Sequence, residues 1–165
     1  LATNIPGKPV THVVLTHHHR DHVGAVRTFV ARGARVVVGA SSKAFFSGTL
    51  RASRTIDPDE LAATPRPATI DTVPAGGELT IPDATRPVRV IAVPSTHASD
   101  MVLAYTPNQR VLFVTDIYSP GLPPNPAGAR EVLDVVTTKN LAVDTIAGGH
   151  GITGPRSDLV TAAGL

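Results

Sequence analysis

Four of the chain's seven histidines fall in THHHRDH, residues 16 to 22, around one aspartate, Asp21. Imidazole with carboxylate makes a ligand set for zinc, iron or manganese, whereas a nucleic-acid patch would be built from Lys and Arg. In an extended segment alternate residues share a face, so His17 and His19 point one way and His18 the other. Asp21 and His22 follow where a helix begins, and the four residues His17, His19, Asp21 and His22 can aim at one place. One metal ion takes about four ligands, and two ions need more than this segment supplies. His97, Asp116 and His150 are the further candidates, each placed directly after a strand-like run: PVRVIAVPST, RVLFVT and VDTIAGG. Each has a plainer use, a solvated or capping ring for His and a strand-end turn for Asp. Their shared strand-then-loop context is what groups them with the histidine segment.

The elements that must position these residues alternate along the chain. VTHVVLT (10–16) reads as a strand and DHVGAVRTFVARG (21–33) as a helix, with Val23, Val26 and Val30 at helical spacing and Gly33 at its C-terminus. RVVV (35–38) is a second buried strand. Ser41 or Ser42 can cap a helix running through Phe45 and Phe46, and Asp57 with Pro58 opens a short helix over DPDELAA. The second half is richer in strands: ATIDTV, ELTI, PVRVIAV, MVLAYT and RVLFVTD, with a turn at Gly76 and Gly77 and a hairpin connection at PNQ. AREVLDVVTTKN is a helix, VDTIAG a strand and SDLVTAA a last helix. SPGLPPNPAG (119–128) reads as a loop because its prolines oppose regular structure. Helices alternating with strands in this way give an α/β layered domain, and loops after its strands are where such folds place chemistry.

Composition bounds the function. At 165 residues and 42% hydrophobic, the chain supports one core. Fifteen basic against thirteen acidic residues leave a net charge of only +2, a poor basis for nucleic-acid binding. Without cysteine there is no disulfide, no thiolate ligand and no thiol nucleophile, so His and carboxylates must carry any metal. No apolar run reaches membrane-spanning length. Compartment and oligomeric state stay open. His12 and His18 read as structural, Arg20 as a solvated charge, and Tyr118 as a packed side chain in preference to a substrate contact.

HxHxDH at 17–22, followed by single His, Asp and His residues after successive strands, resembles the metallo-β-lactamase superfamily of binuclear metallohydrolases. The resemblance implies a four-layer αβ/βα sandwich. It implies that His17, His19 and His97 bind one metal, that Asp21, His22 and His150 bind the other, and that Asp116 bridges them. Two divalent ions, most simply Zn2+ with Fe or Mn as alternatives, would then share a hydroxide that attacks an ester, thioester, lactone or amide carbonyl. Asp21 would be the catalytic carboxylate that orients the hydroxide or passes on its proton. Against the negative charge of Asp21, Asp116 and the hydroxide, the ions leave a positive residue that favours a small anionic substrate. The glycines in GGHG around His150 would let backbone come close to the metals.

Within the family, a bridging Asp116 resembles the glyoxalase II-like thioesterases, lactonases and nucleases more than the true β-lactamases. Other readings are a β-lactamase, a phosphodiesterase or nuclease, a mononuclear iron sulfur dioxygenase, or a fragment that binds metal without turnover. Flavodiiron oxygen reductases share the fold but resemble a pattern with Glu where this chain has His19. The family's first strands and helix, which precede the HxHxDH strand, are missing here by the same resemblance. The expectation is a single metallo-β-lactamase-like domain over 1–165, incomplete at its N-terminus. VTHVVLT and RVVVG would then keep an open sheet edge, and the chain would need those strands to fold stably.

Overall fold

A computed structural model describes residues 5–165. Strands β1 (His12–Val14), β2 (Arg35–Gly39) and β3 (Ile70–Val73) form a parallel sheet in that order. Strands β4 (Glu78–Ile81), β5 (Val88–Val93), β6 (Met101–Thr106), β7 (Val111–Thr115), β8 (Thr145–Gly148) and β9 (Thr153–Pro155) form a second sheet in chain order. It is antiparallel except where β7 meets β8. The Gly76–Gly77 turn therefore joins two sheets and makes no hairpin: β3 lies in the first and β4 in the second.

Side-chain alternation along β2 and β5 explains the layering. Val37 packs with Val73, Val90, Ala92 and Val102 between the sheets. Its neighbours Val36 and Val38 turn the other way, onto Val26, Val30, Phe46, Leu50 and Leu61 of the outer helices α2 (Val26–Ala31), α3 (Lys43–Arg51) and α4 (Glu60–Ala63). Ile91 and Val93, alternating with Val90 and Ala92, join Val132, Val136 and Leu159 of α5 (Pro126–Thr138) and α6 (Arg156–Ala162). The result is helix, sheet, sheet, helix, the expected αβ/βα sandwich. The three valines of β2 are fully buried, each stabilising the fold by roughly 1.5–3 kcal/mol.

Several boundaries differ from the sequence reading. The helix expected over 21–33 is two helices, α1 (Arg20–Val23) and α2, separated at Gly24 and Ala25. The break lets α2 bury Val26, Arg27 and Val30 while α1, with no buried residue, leaves Asp21 and His22 free to face the loops. Gly33 follows α2 with φ of 94°, the left-handed conformation that glycine supplies most cheaply. Asp57 does not open the next helix; Asp59 does, its carboxylate accepting from the Ala62 amide at 2.9 Å. Neither Ser41 nor Ser42 caps α3 through its side chain, because a 3-10 turn over Ala40–Ser42 leads into it and the Ser42 amide goes to Asp100. The proline-rich segment is a loop only to Asn125. Pro126 occupies the first helical turn of α5, where a missing N–H costs nothing, and the Asn125 side chain accepts from the Gly128 amide. Strand β9, over Thr153–Pro155, was not legible in a segment of glycine and proline.

The route into the histidine segment is set by backbone. Beyond β1 the Leu15 amide donates to Val37 O on β2, and Thr16 O then accepts from the Val102 amide on β6. The chain thus crosses from one sheet to the other immediately before His17.

Candidate metal centre

The seven candidate ligands His17, His19, Asp21, His22, His97, Asp116 and His150 come together in two groups. His17, His19, His97 and Asp116 offer ligand atoms within 4.8 Å of one another, and so do Asp21, His22, Asp116 and His150. Asp116 belongs to both. Its Oδ2 lies 3.0 Å from His22 Nε2, 3.5 Å from His97 Nε2 and 3.7 Å from His17 Nε2, and its Oδ1 lies 3.5 Å from His150 Nε2. Asp21 Oδ2 faces His22 Nε2 at 3.2 Å and His150 Nε2 at 3.3 Å.

Alternation holds in the opening segment. The rings of His17 and His19 meet at 4.5 Å between centroids, whereas His18 is exposed and turns to Phe45 at 6.1 Å. His12, which the structure places at the start of β1, lies apart from both groups with its Nδ1 on Thr11 Oγ1. Tyr118 packs in the core under α5 and α6. Burial, then Asp158, pushes its phenol above the usual value, which fits the packed role.

These residues fit metal ions on three counts. His17 is buried, yet its Nε2 has no hydrogen-bond partner among the described residues, while its Nδ1 is held 3.1 Å from Thr16 Oγ1. A ring anchored by one nitrogen and left with the other unsatisfied is the usual state of a histidine ligand. His97 Nε2 and His19 Nδ1 lie 3.1 Å apart, two ring nitrogens facing each other where a cation would satisfy both. Burial, reinforced by His22, lowers His17 to about 4, so the ring is neutral and its lone pair is available at neutral pH. Asp21 is held below the usual carboxylate value, first by a hydrogen bond from its own backbone and then by His22 and His150, so it is ionised there as well.

Two threonines missing from the sequence reading support the groups from behind. Thr16 Oγ1 lies 3.4 Å from Thr115 Oγ1, and Thr115 Oγ1 lies 3.4 Å from His22 Nδ1 and 3.3 Å from Asp116 Oδ1. Their only sequence signal was adjacency to His17 and Asp116. Thr115 is buried with φ of 48°, unusual for a β-branched residue and a mark of backbone strain at the point where Asp116 is presented. The glycines of GGHG act through contact with loops. A Cβ on Gly149 would lie 3.1 Å from Thr115 Cα and 3.2 Å from Asp116 Oδ1, and Gly151, at φ of 75°, lies against Pro120 O.

Comparison with known proteins agrees with this architecture. The chain superposes on rubredoxin:oxygen oxidoreductase from Desulfovibrio gigas with a TM-score of 0.70 and 16% identity, covering 98% of this chain and 44% of that one. A metallo-β-lactamase from Pontibacter korlensis gives a TM-score of 0.70 and 19% identity, covering 99% and 72%. The flavodiiron protein from Giardia intestinalis gives 0.65 and 17%, covering 93% and 41%. At these identities the likeness is one of fold, and the chain spans less than half the length of the Desulfovibrio and Giardia proteins. No curated protein is significantly similar in sequence. No helix is long and apolar enough to cross a membrane among the described residues. The sequence profile of the metallo-β-lactamase superfamily matches residues 1–150, and with the sandwich and its His/Asp cluster in place, the chain belongs to that superfamily.

Proposed function

We propose that this protein is a binuclear metallohydrolase, most simply a di-zinc enzyme, acting on the carbonyl of a small anionic ester, thioester, lactone or amide. The observation that carries the reading is the place of Asp116 in both ligand groups, with Oδ2 toward His17, His22 and His97 and Oδ1 toward His150. His17, His19 and His97 would hold one ion and Asp21, His22 and His150 the other, with Asp116 shared. Two divalent ions bound there would supply an activated water at neutral pH and polarise a carbonyl oxygen.

The chain's own part is to position and to exclude. Thr16 fixes the His17 ring through Nδ1, and burial keeps that ring uncharged. Asp21 is exposed at the mouth of the site and ionised, so its carboxylate can orient a water and carry a proton to the leaving group. With no cysteine in the chain, no thiol competes as nucleophile. The ligand set carries only two carboxylates against two divalent ions, and the remaining positive charge supports an anionic substrate.

Metal analysis of the purified chain, with a panel of thioester, lactone, β-lactam and phosphodiester substrates, tests the proposal. The expected result is two equivalents of zinc and turnover of a thioester or lactone. One equivalent or none in folded protein, or iron with a redox reaction in place of hydrolysis, would overturn it.

A further inference from the structure

His97 differs from the other ligands in how it is held. It sits in the loop of residues 94–100 between β5 and β6, and its side chain is one-third exposed. Among the described residues its Nδ1 makes no hydrogen bond, and its Nε2 faces only prospective ligands, His19 and Asp116. Its direction is therefore inherited from the loop backbone. That backbone is gripped from outside the sheet. The Thr96 amide and the Thr96 hydroxyl both donate to Glu131 Oε1 of α5, at 3.1 and 2.8 Å, and the His97 amide donates to Ser95 Oγ at 3.1 Å.

Glu131 is an unexpected residue to find there. Its Oε2 is buried with no hydrogen-bond partner among the described residues, a desolvation that costs stability with no local return. A carboxylate kept in that position against such a cost is explained by what its other oxygen does. Helix α5 is itself keyed to the loop that carries Asp116, because the Asn125 side-chain amide donates to Ile117 O at 3.1 Å and the Gly128 backbone lies against the same carbonyl. The helix therefore registers the His97 loop against Asp116.

We infer that Glu131 is the positioning residue for His97, setting through Thr96 the affinity of the His17, His19 and His97 group for its metal ion. The inference rests on the two-metal reading above. Its test is a competitive Zn2+ titration of the full chain against a chromophoric chelator, with His97→Ala and His150→Ala assigning the two binding steps to their groups. Glu131→Ala should weaken the His97-dependent step by on the order of tenfold to a hundredfold, as loss of a ligand-orienting partner does. The His150-dependent step should not change. Glu131→Gln, whose amide oxygen still accepts both Thr96 donors, should bind like wild type. Thr96→Val, which removes the hydroxyl donor alone, should give a smaller loss at the same step and guards against a Glu131→Ala chain that does not fold. Unchanged binding in Glu131→Ala, equal weakening of both steps, or a Gln variant as weak as the Ala variant overturns the inference. A wild-type chain that binds no zinc overturns the underlying reading instead, and this inference with it.

Discussion

The Asp100 carboxylate fills the space that a side chain on Gly39 would occupy, and its Oδ2 accepts from the Ser42 amide at 2.7 Å. Gly39 ends β2 and Asp100 ends the His97 loop, so this pair fastens the first sheet to the loop from the side opposite Glu131. Asp100 has φ of 60°, a conformation that aspartate tolerates better than most residues. Gly39→Ala should destabilise the fold by about 1–3 kcal/mol through overpacking. In an Asp100→Gly background the same substitution should cost less, with a coupling of about 1 kcal/mol in a double-mutant cycle from chemical denaturation. Additive costs would show that the two residues do not compete for this space.

Acid should weaken the helical layer through Arg27 and Asp59. The buried Arg27 guanidinium donates to the carbonyls of Thr49, Leu50 and Ala52, and to Asp59 Oδ1 at 3.0 Å. Hydrogen bonding from Arg27, then from the Ala62 amide, pulls Asp59 from its usual 3.8 to about 2. A carboxylate depressed in the folded state stabilises fully above its unfolded value and loses that contribution as pH falls through the folded one. Unfolding midpoints measured between pH 6 and 2 should therefore drop below about pH 4 more steeply for wild type than for Asp59→Asn, which starts lower at neutral pH. Parallel curves would remove Asp59 from the acid limb.

Adjacent histidines should have opposite effects. His19 joins His17 and His97 in one ligand group, while His18 turns to Phe45. His19→Ala should lose the tight Zn2+ step that depends on His97, and His18→Ala should keep both steps and most of any hydrolysis. Chelator competition distinguishes them, and equal losses would defeat the facing argument.

Pressure on Asp116 should be felt by both ions. Gly149→Ala places a Cβ 3.1 Å from Thr115 Cα and Oγ1, closer than comfortable contact, beside backbone that is already strained. Zn2+ affinity should fall at both steps together, in contrast to the single step expected for Glu131→Ala. Weakening confined to one step would mean that Asp116 is not shared.

Residue types and chain order revealed the metal residues because ligand chemistry is local: imidazoles at 17, 19 and 22 with Asp21 between them, then single residues at strand ends. Short β-branched apolar runs revealed β2 and β5 for the same reason. What stayed hidden depends on partners distant in sequence. Glu131 on α5 carries no motif, and only the fold brings it under Thr96, 35 residues away. The break in the helix over 21–33 followed from which way Asp21 and Val26 must face, a tertiary demand. Asn125 and Pro126 were a cap and a first-turn proline within a segment that composition assigned to a loop.

The crossing of the chain from β2 to β6 at Leu15 and Thr16 also bears on the order of events during folding. His19 and His97 are 78 positions apart, and His22 and Asp116 are 94. Neither ligand group can close until the two sheets have docked, and contacts of such separation form late because the loop-closure entropy precedes any return. Zinc added during refolding should leave the early rate unchanged and slow only unfolding, so the ions would act as a latch on a finished sandwich and contribute nothing to its nucleation.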